Sequence, residues 1–255
     1  MPPRYSSPYA SSYSFGPGPL SSAMKALIYT NVAVFFAQFF VPALTFAFGL
    51  RPAAVIGDLF VWQLVTYMFL HGGMFHILFN MLFLWMLGTE LERVWGTRYF
   101  LKFYFVTGIG AGILTVLVSL LPFALGAQIY SAVTIGASGA IYGLLMAYAL
   151  YFPNRPMYLF PFPVPMPAKV FVLIVGAIAF YASLAGGGGV ANATHLGGLL
   201  VGYIYLRGLR LPVRLRLHPW AEVKYRYVKW RMDRLRRKFD VHQGGRPNDW
   251  NRRVH

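Results

Sequence analysis

One serine hydroxyl stands among small residues in the run Gly136-Ala137-Ser138-Gly139-Ala140-Ile141-Tyr142-Gly143, within a sequence otherwise suited to lipid. A serine becomes a nucleophile when a base accepts its proton, and histidine is the side chain whose pKa suits that task near neutrality. Ser138 and His195 are the natural pair, and acyl transfer is the chemistry they could perform. Before the C-terminal tail the acids are Asp58, Glu90 and Glu92, none of them placed to complete a triad, so a dyad is expected. Asn80 and His76, one turn apart, could donate to a developing oxyanion beside the backbone N–H of Ser138 at a helix start. Taken alone, the same residues admit other readings. Gly136, Ser138, Gly139 and Gly143 could serve close helix packing, as Gly198 and Gly202 are expected to do in seating the sixth helix on the fourth. An intramembrane histidine could belong to a proton relay or ion path. A metal site from His71, His76 and His195 is disfavoured, because residues five apart on a helix point away from each other. No metal and no cofactor is expected.

The elements that must position these groups follow from composition. Of 255 residues, 57% are hydrophobic and 12% charged, and the apolar residues come in long runs. A helix crossing a hydrocarbon core of about 30 Å needs roughly 20 mostly apolar residues. Spans are expected at 25–49, 76–94, 98–121, 138–152, 168–185 and 191–208, giving an all-α membrane protein, a bundle of six transmembrane helices over residues 23–209. The fourth, at about 1.5 Å per residue, covers only about 22 Å and should begin below the membrane surface. Residues 1–22, rich in Ser, Pro, Gly and Tyr, read as a disordered lead rather than a signal peptide. The absence of cysteine excludes disulfides, thiol catalysis and thiolate metal sites.

Charge sets the expected orientation, because short loops bearing Lys and Arg stay cytoplasmic. Arg4 and Lys25 precede the first helix, Arg93, Arg98 and Lys102 flank the turn between the second and third, and Arg155 and Lys169 flank the loop between the fourth and fifth. The opposite loops carry only Arg51. From Arg207 onward fifteen Lys and Arg stand against four acids, within a formal net charge of +16. Both termini are therefore expected in the cytoplasm, with the chain in the cell (inner) membrane. In the tail, residues 210–255, Ala221, Tyr225, Val228, Met232, Leu235 and Phe239 share one helix face. That pattern suits contact with anionic lipid or a solvated basic helix that enforces topology, and nucleic acid ranks behind both. This orientation brings His71, His76, Asn80, Ser138, Asn192 and His195 to the outer part of the membrane, where polar groups face a bundle interior or a wet cavity. Trp62, Tyr67 and Phe69 suit an outer loop lying partly in the interface, and Gly186 to Gly189 suit a flexible cap before the sixth helix.

Three ordered motifs carry a family resemblance. His71-Gly-Gly-Met-Phe-His76-Ile-Leu-Phe-Asn80 is similar to the HxxxxHxxxN helix of rhomboid intramembrane serine proteases, Gly136-Ala137-Ser138-Gly139 to their GxSG motif, and Ala191-Asn192-Ala193-Thr194-His195 to their ANxAH segment. The resemblance, over most of residues 50–205, is to the bacterial six-helix type. It implies Ser138 as nucleophile, His195 as general base, and Asn80, His76 and the Ser138 backbone as the oxyanion hole. Tyr142 would pack on the His195 ring, with Gly136, Gly139 and Asn192 in support. Substrates would be transmembrane helices of other proteins in the bilayer, cleaved near their outer ends where helix-destabilising residues let the segment unwind. Movement of the fifth helix and its cap would admit them. Trp62 matches the tryptophan of the family's Trp-Arg pair, and Glu92 to Gly96 its ExxxG segment. Gln63 stands where the family usually has Arg, and Thr194 where it usually has Ala. The alternative is a non-catalytic rhomboid-like protein that binds transmembrane helices.

Overall fold

The structure, a computed structural model, describes residues 18–122, 124–159, 162–184 and 189–208. The lead before residue 18, the tail 210–255 and most of the glycine cap, whose last member Gly189 opens a helix, lie outside the described residues. Helices dominate: α1 (Ser22–Phe40), α2 (Met74–Trp95), α3 (Thr97–Ser119), α4 (Ser138–Tyr151), α5 (Ala168–Leu184) and α6 (Gly189–Gly208). Among the described residues, α1, α2 and α3 are long and apolar enough to cross a membrane, and α4 and α5 are shorter apolar helices. Large apolar side chains such as Phe39, Phe46, Leu173 and Tyr181 lie exposed, as lipid-facing residues would.

The first helix is shorter than its hydropathy suggests. It starts where the Ser21 hydroxyl accepts the Met24 N–H at 3.0 Å. It ends at Phe40 because Pro42 drives Val41 out of the helical region, to φ −130° and ψ 80°, and a separate turn then runs Ala43–Phe48. The expected span 25–49 is thus two pieces. Helix α2 widens into a π-helical turn at Leu84–Gly88, a feature no hydropathy pattern marks. At its C-terminal end Glu92 accepts hydrogen bonds from Ser21 Oγ (2.7 Å) and Thr97 Oγ1 (2.6 Å), tying α1, α2 and α3 together. Gly96, at φ +76°, makes the turn between α2 and α3.

The connections between these helices carry structure of their own, beginning with short helices at Pro52–Gly57 and Gln63–Thr66 between α1 and α2. A helix at Ala124–Ser131 follows α3. A hairpin of β1 (Pro156–Leu159) and β2 (Phe162–Pro167), pairing Met157 with Met166, joins α4 to α5. Arg155 leads into that hairpin and bonds Glu90 Oε1 on α2 at 2.8 Å, while Tyr148 Oη of α4 donates to Glu90 Oε2 at 3.0 Å.

The centre is α4, packed against α3 and α6, which also pack on each other. Side chains would hold these helices apart. A Cβ at Gly198 would collide with the Gly139 carbonyl oxygen, and one at Gly202 would come 3.1 Å from Gly143 Cα, so small residues set the close approach of α6 to α4. Within lipid this association rests on van der Waals contact and on hydrogen bonds worth about 0.6 kcal/mol each on average.

Candidate active site

Each of the chemical groups sits at a helix start or in its first turns. Ser138 is the first residue of α4, so its backbone N–H has no partner within that helix. His195 lies in the second turn of α6, and His76 and Asn80 lie one turn apart on α2. Ser138 Oγ and His195 Nε2 are 2.8 Å apart, within reach for proton transfer. The Tyr142 ring, one turn below Ser138, stacks on the imidazole with centroids 4.2 Å apart and planes 5° from parallel. Both groups face a cavity of about 520 Å³ lined by His76, Asn80, Ser138, Tyr142 and His195, with Phe75, Phe79 and Phe83 of α2 and Phe171 and Val175 of α5.

His76 is oriented by the turn before it. The Gly72 N–H donates to its Nδ1 at 3.2 Å, so the neutral ring carries its proton on Nε2. That nitrogen points at Gly136, where a Cβ would lie 2.7 Å from it and 3.8 Å from Ser138 Oγ. Gly136, at φ +121°, therefore lets the His76 ring lie closer to the turn before Ser138 than any side chain there would allow. Its own N–H donates to the Tyr67 carbonyl at 2.9 Å. Asn80 is buried and its amide donates to the His76 carbonyl at 2.7 Å, which fixes the side chain on the cavity wall. Gly139 packs within 3.1 Å, measured from a Cβ built there, of Tyr67 Oη, Ala111 and Thr194. Asn192 is half-buried, three residues before His195.

Two expectations need correction. His71 does not point away from His76: it precedes α2 and is not on the helix, and the two rings meet edge to face at 5.1 Å. Of the aromatic residues assigned to the outer interface only Trp62 is exposed; Tyr67 is wholly buried, with its hydroxyl on the Gly108 carbonyl at 2.7 Å. Tyr67 thus supports the Gly136–Gly139 turn from below, a role that nothing in its sequence neighbourhood signals. Gln63, in place of the usual arginine, is buried and holds the loop between α1 and α2. It accepts the Arg51 N–H at 3.0 Å and donates to the carbonyls of Phe46 and Ala47 at 3.4 and 3.3 Å.

The chain is similar to several known proteins. Over 168 residues, 65% of this chain, it is 34% identical to rhomboid protease GluP of Bacillus subtilis (strain 168), of whose length it covers 29%. Over 212 residues it is 28% identical to rhomboid protease AarA of Providencia stuartii, covering 75% of this chain and 74% of that one. With rhomboid protease GlpG of Yersinia pseudotuberculosis serotype I (strain IP32953) it shares 29% identity over 56% of this chain and 46% of the relative. The family described as Rhomboid domain matches residues 59–211, a stretch that contains His71, His76, Asn80, Ser138 and His195, and the chain, a multi-pass membrane protein, belongs to the rhomboid family.

Proposed function

We propose that this protein is an intramembrane serine endopeptidase that cleaves transmembrane helices of other membrane proteins near the extracytoplasmic face. The observation that carries the reading is the 2.8 Å separation of Ser138 Oγ and His195 Nε2 on a cavity wall. His195 takes the Ser138 proton as Oγ attacks the scissile carbonyl carbon. The resulting oxyanion enters the space beside Gly136, where His76 Nε2–H, the Asn80 amide and the Ser138 N–H can donate to it. His195 then gives its proton to the leaving amine. Water, activated by the same imidazole, releases the acyl group from Ser138. The Tyr142 ring keeps the imidazole plane in place through both steps.

Six crossings by α1 to α6, in a protease domain of residues 23–209, fit this function, with both termini cytoplasmic in the cell (inner) membrane and the basic tail 210–255 against anionic lipid. In that orientation the cavity lies toward the extracytoplasmic side, where water for hydrolysis is available.

Reaction with a fluorophosphonate probe tests the assignment. The wild-type protein should be labelled, while Ser138→Ala and His195→Ala should each lose labelling by at least about a hundredfold, because nucleophile and base act as a unit. Labelling that survives Ser138→Ala, or a wild type that never labels, sinks the enzyme and favours a non-catalytic binder of transmembrane helices.

A further inference from the structure

Behind the dyad, α3, α4 and α6 meet at two threonines. Thr194 immediately precedes His195 and Thr115 lies on α3; their exposures are 1% and zero. The two hydroxyls are 2.8 Å apart, and Thr115 Oγ1 also lies 2.9 Å from the Ala111 carbonyl of its own helix. The Thr194 methyl reaches the other catalytic helix: a Cβ built on Gly139, next to Ser138, would lie 3.1 Å from Thr194 Cγ2. One side chain therefore touches α3 through its hydroxyl and α4 through its methyl.

The dyad needs such a restraint. In a triad the carboxylate orients the imidazole, but the three carboxylates among the described residues are engaged elsewhere, Asp58 beside Arg51, Glu90 with Arg155 and Tyr148, and Glu92 with Ser21 and Thr97. The Tyr142 stack restrains His195 along the ring normal. It leaves motion within the ring plane free, and the reach from Nε2 to Ser138 Oγ lies in that plane. Rotating a helix by about 10° moves a side-chain atom at a radius of roughly 6 Å by about 1 Å, and a misplacement of that size can cost about a hundredfold in rate.

We propose that the Thr115–Thr194 hydrogen bond is a positioning device for the dyad, fixing the rotation of α6 about its axis and with it the reach of His195 to Ser138. This rests on the reading of Ser138 and His195 as the catalytic pair. Thr194→Val keeps the shape and removes the hydroxyl, Thr115→Val does the same on a helix that carries neither dyad group, and Thr194→Ser keeps the hydroxyl. The measurements are the fluorophosphonate labelling rate and its endpoint stoichiometry, kcat and KM on a transmembrane substrate in detergent, and the Tm. Each valine variant should lower labelling rate and kcat by about tenfold, with endpoint stoichiometry intact, KM within about twofold and Tm within about 4 °C of wild type. The double variant should be no slower than the slower single, since both remove one bond, and Thr194→Ser should retain at least half the rate. Valine variants that label at the wild-type rate, effects that multiply in the double variant, or losses that appear in KM or endpoint stoichiometry instead would overturn the proposal. A wild type that does not label, or labelling that persists in Ser138→Ala, overturns the dyad reading itself and is distinguishable from those outcomes.

Discussion

At Gly136 the backbone stands at φ +121°, and the space a Cβ would fill lies between His76 Nε2 and Ser138 Oγ. Alanine there is strained by the left-handed backbone, and its methyl would also push against the ring of His76, a proposed oxyanion donor. Gly136→Ala should therefore lower the labelling rate by about a hundredfold, the scale of losing one oxyanion donor; a rate within about threefold of wild type would mean that the oxyanion forms elsewhere. His71, just before α2, has a different role. Burial, with the His76 ring beside it, lowers its pKa to about 4, against a weaker opposing pull from the Phe69 backbone. A folded-state pKa below the unfolded value near 6.5 means that the neutral ring is favoured by folding. Its contribution is complete above about pH 6.5 and is lost as pH falls toward about 4. The Tm in detergent should fall between pH 7.5 and pH 5, and His71→Asn should shrink that fall; an equal fall in the variant would assign the acid sensitivity to other groups.

Among the elements, α5 differs from its neighbours in how it meets the site. It packs on α6 and α4, yet between its residues Phe171 and Val175 and α2 residues Phe75, Phe79 and Phe83 lies the cavity that holds Ser138. A helix held on one side and facing a cavity on the other can move outward at little cost in packing, whereas α6 is locked to α4 by backbone contact at Gly198. The chain has no cysteine, so Phe79→Cys with Val175→Cys provides the only thiols for a bifunctional maleimide tether. Tethering should slow cleavage of a transmembrane substrate by about tenfold, while the small soluble probe still labels Ser138 within about twofold of the untethered variant. Equal slowing of both reactions would indicate distortion of the site, and unchanged cleavage would move the entry path elsewhere.

For the molecule as a whole, positive charge and exposed apolar surface define its setting. Phe36, Phe39, Leu173, Phe180 and Tyr181 face outward, and Lys and Arg concentrate in the loops and tail assigned to the cytoplasm. Single cysteines report that orientation directly. Ser7→Cys and Gln243→Cys should resist a membrane-impermeant maleimide in intact cells and react once the membrane is opened, while Gly57→Cys, exposed between α1 and α2, should react at once. The reverse pattern would put the cavity on the cytoplasmic side.

The amino-acid order alone determined which residues could do chemistry, because the types and intervals of His76, Asn80, Ser138 and His195 and the hydropathy of the runs around them are local properties. It also fixed the start of α4, since the glycines around Ser138 end one apolar run and begin another. Three features depended on the tertiary structure: the edge-to-face approach of His71 to His76, the support that buried Tyr67 gives the serine turn, and the meeting of Thr115 with Thr194. Each depends on the depth and rotation at which one helix lies against another. That geometry is set by the summed packing of side chains far apart in the chain, and no window of sequence contains it.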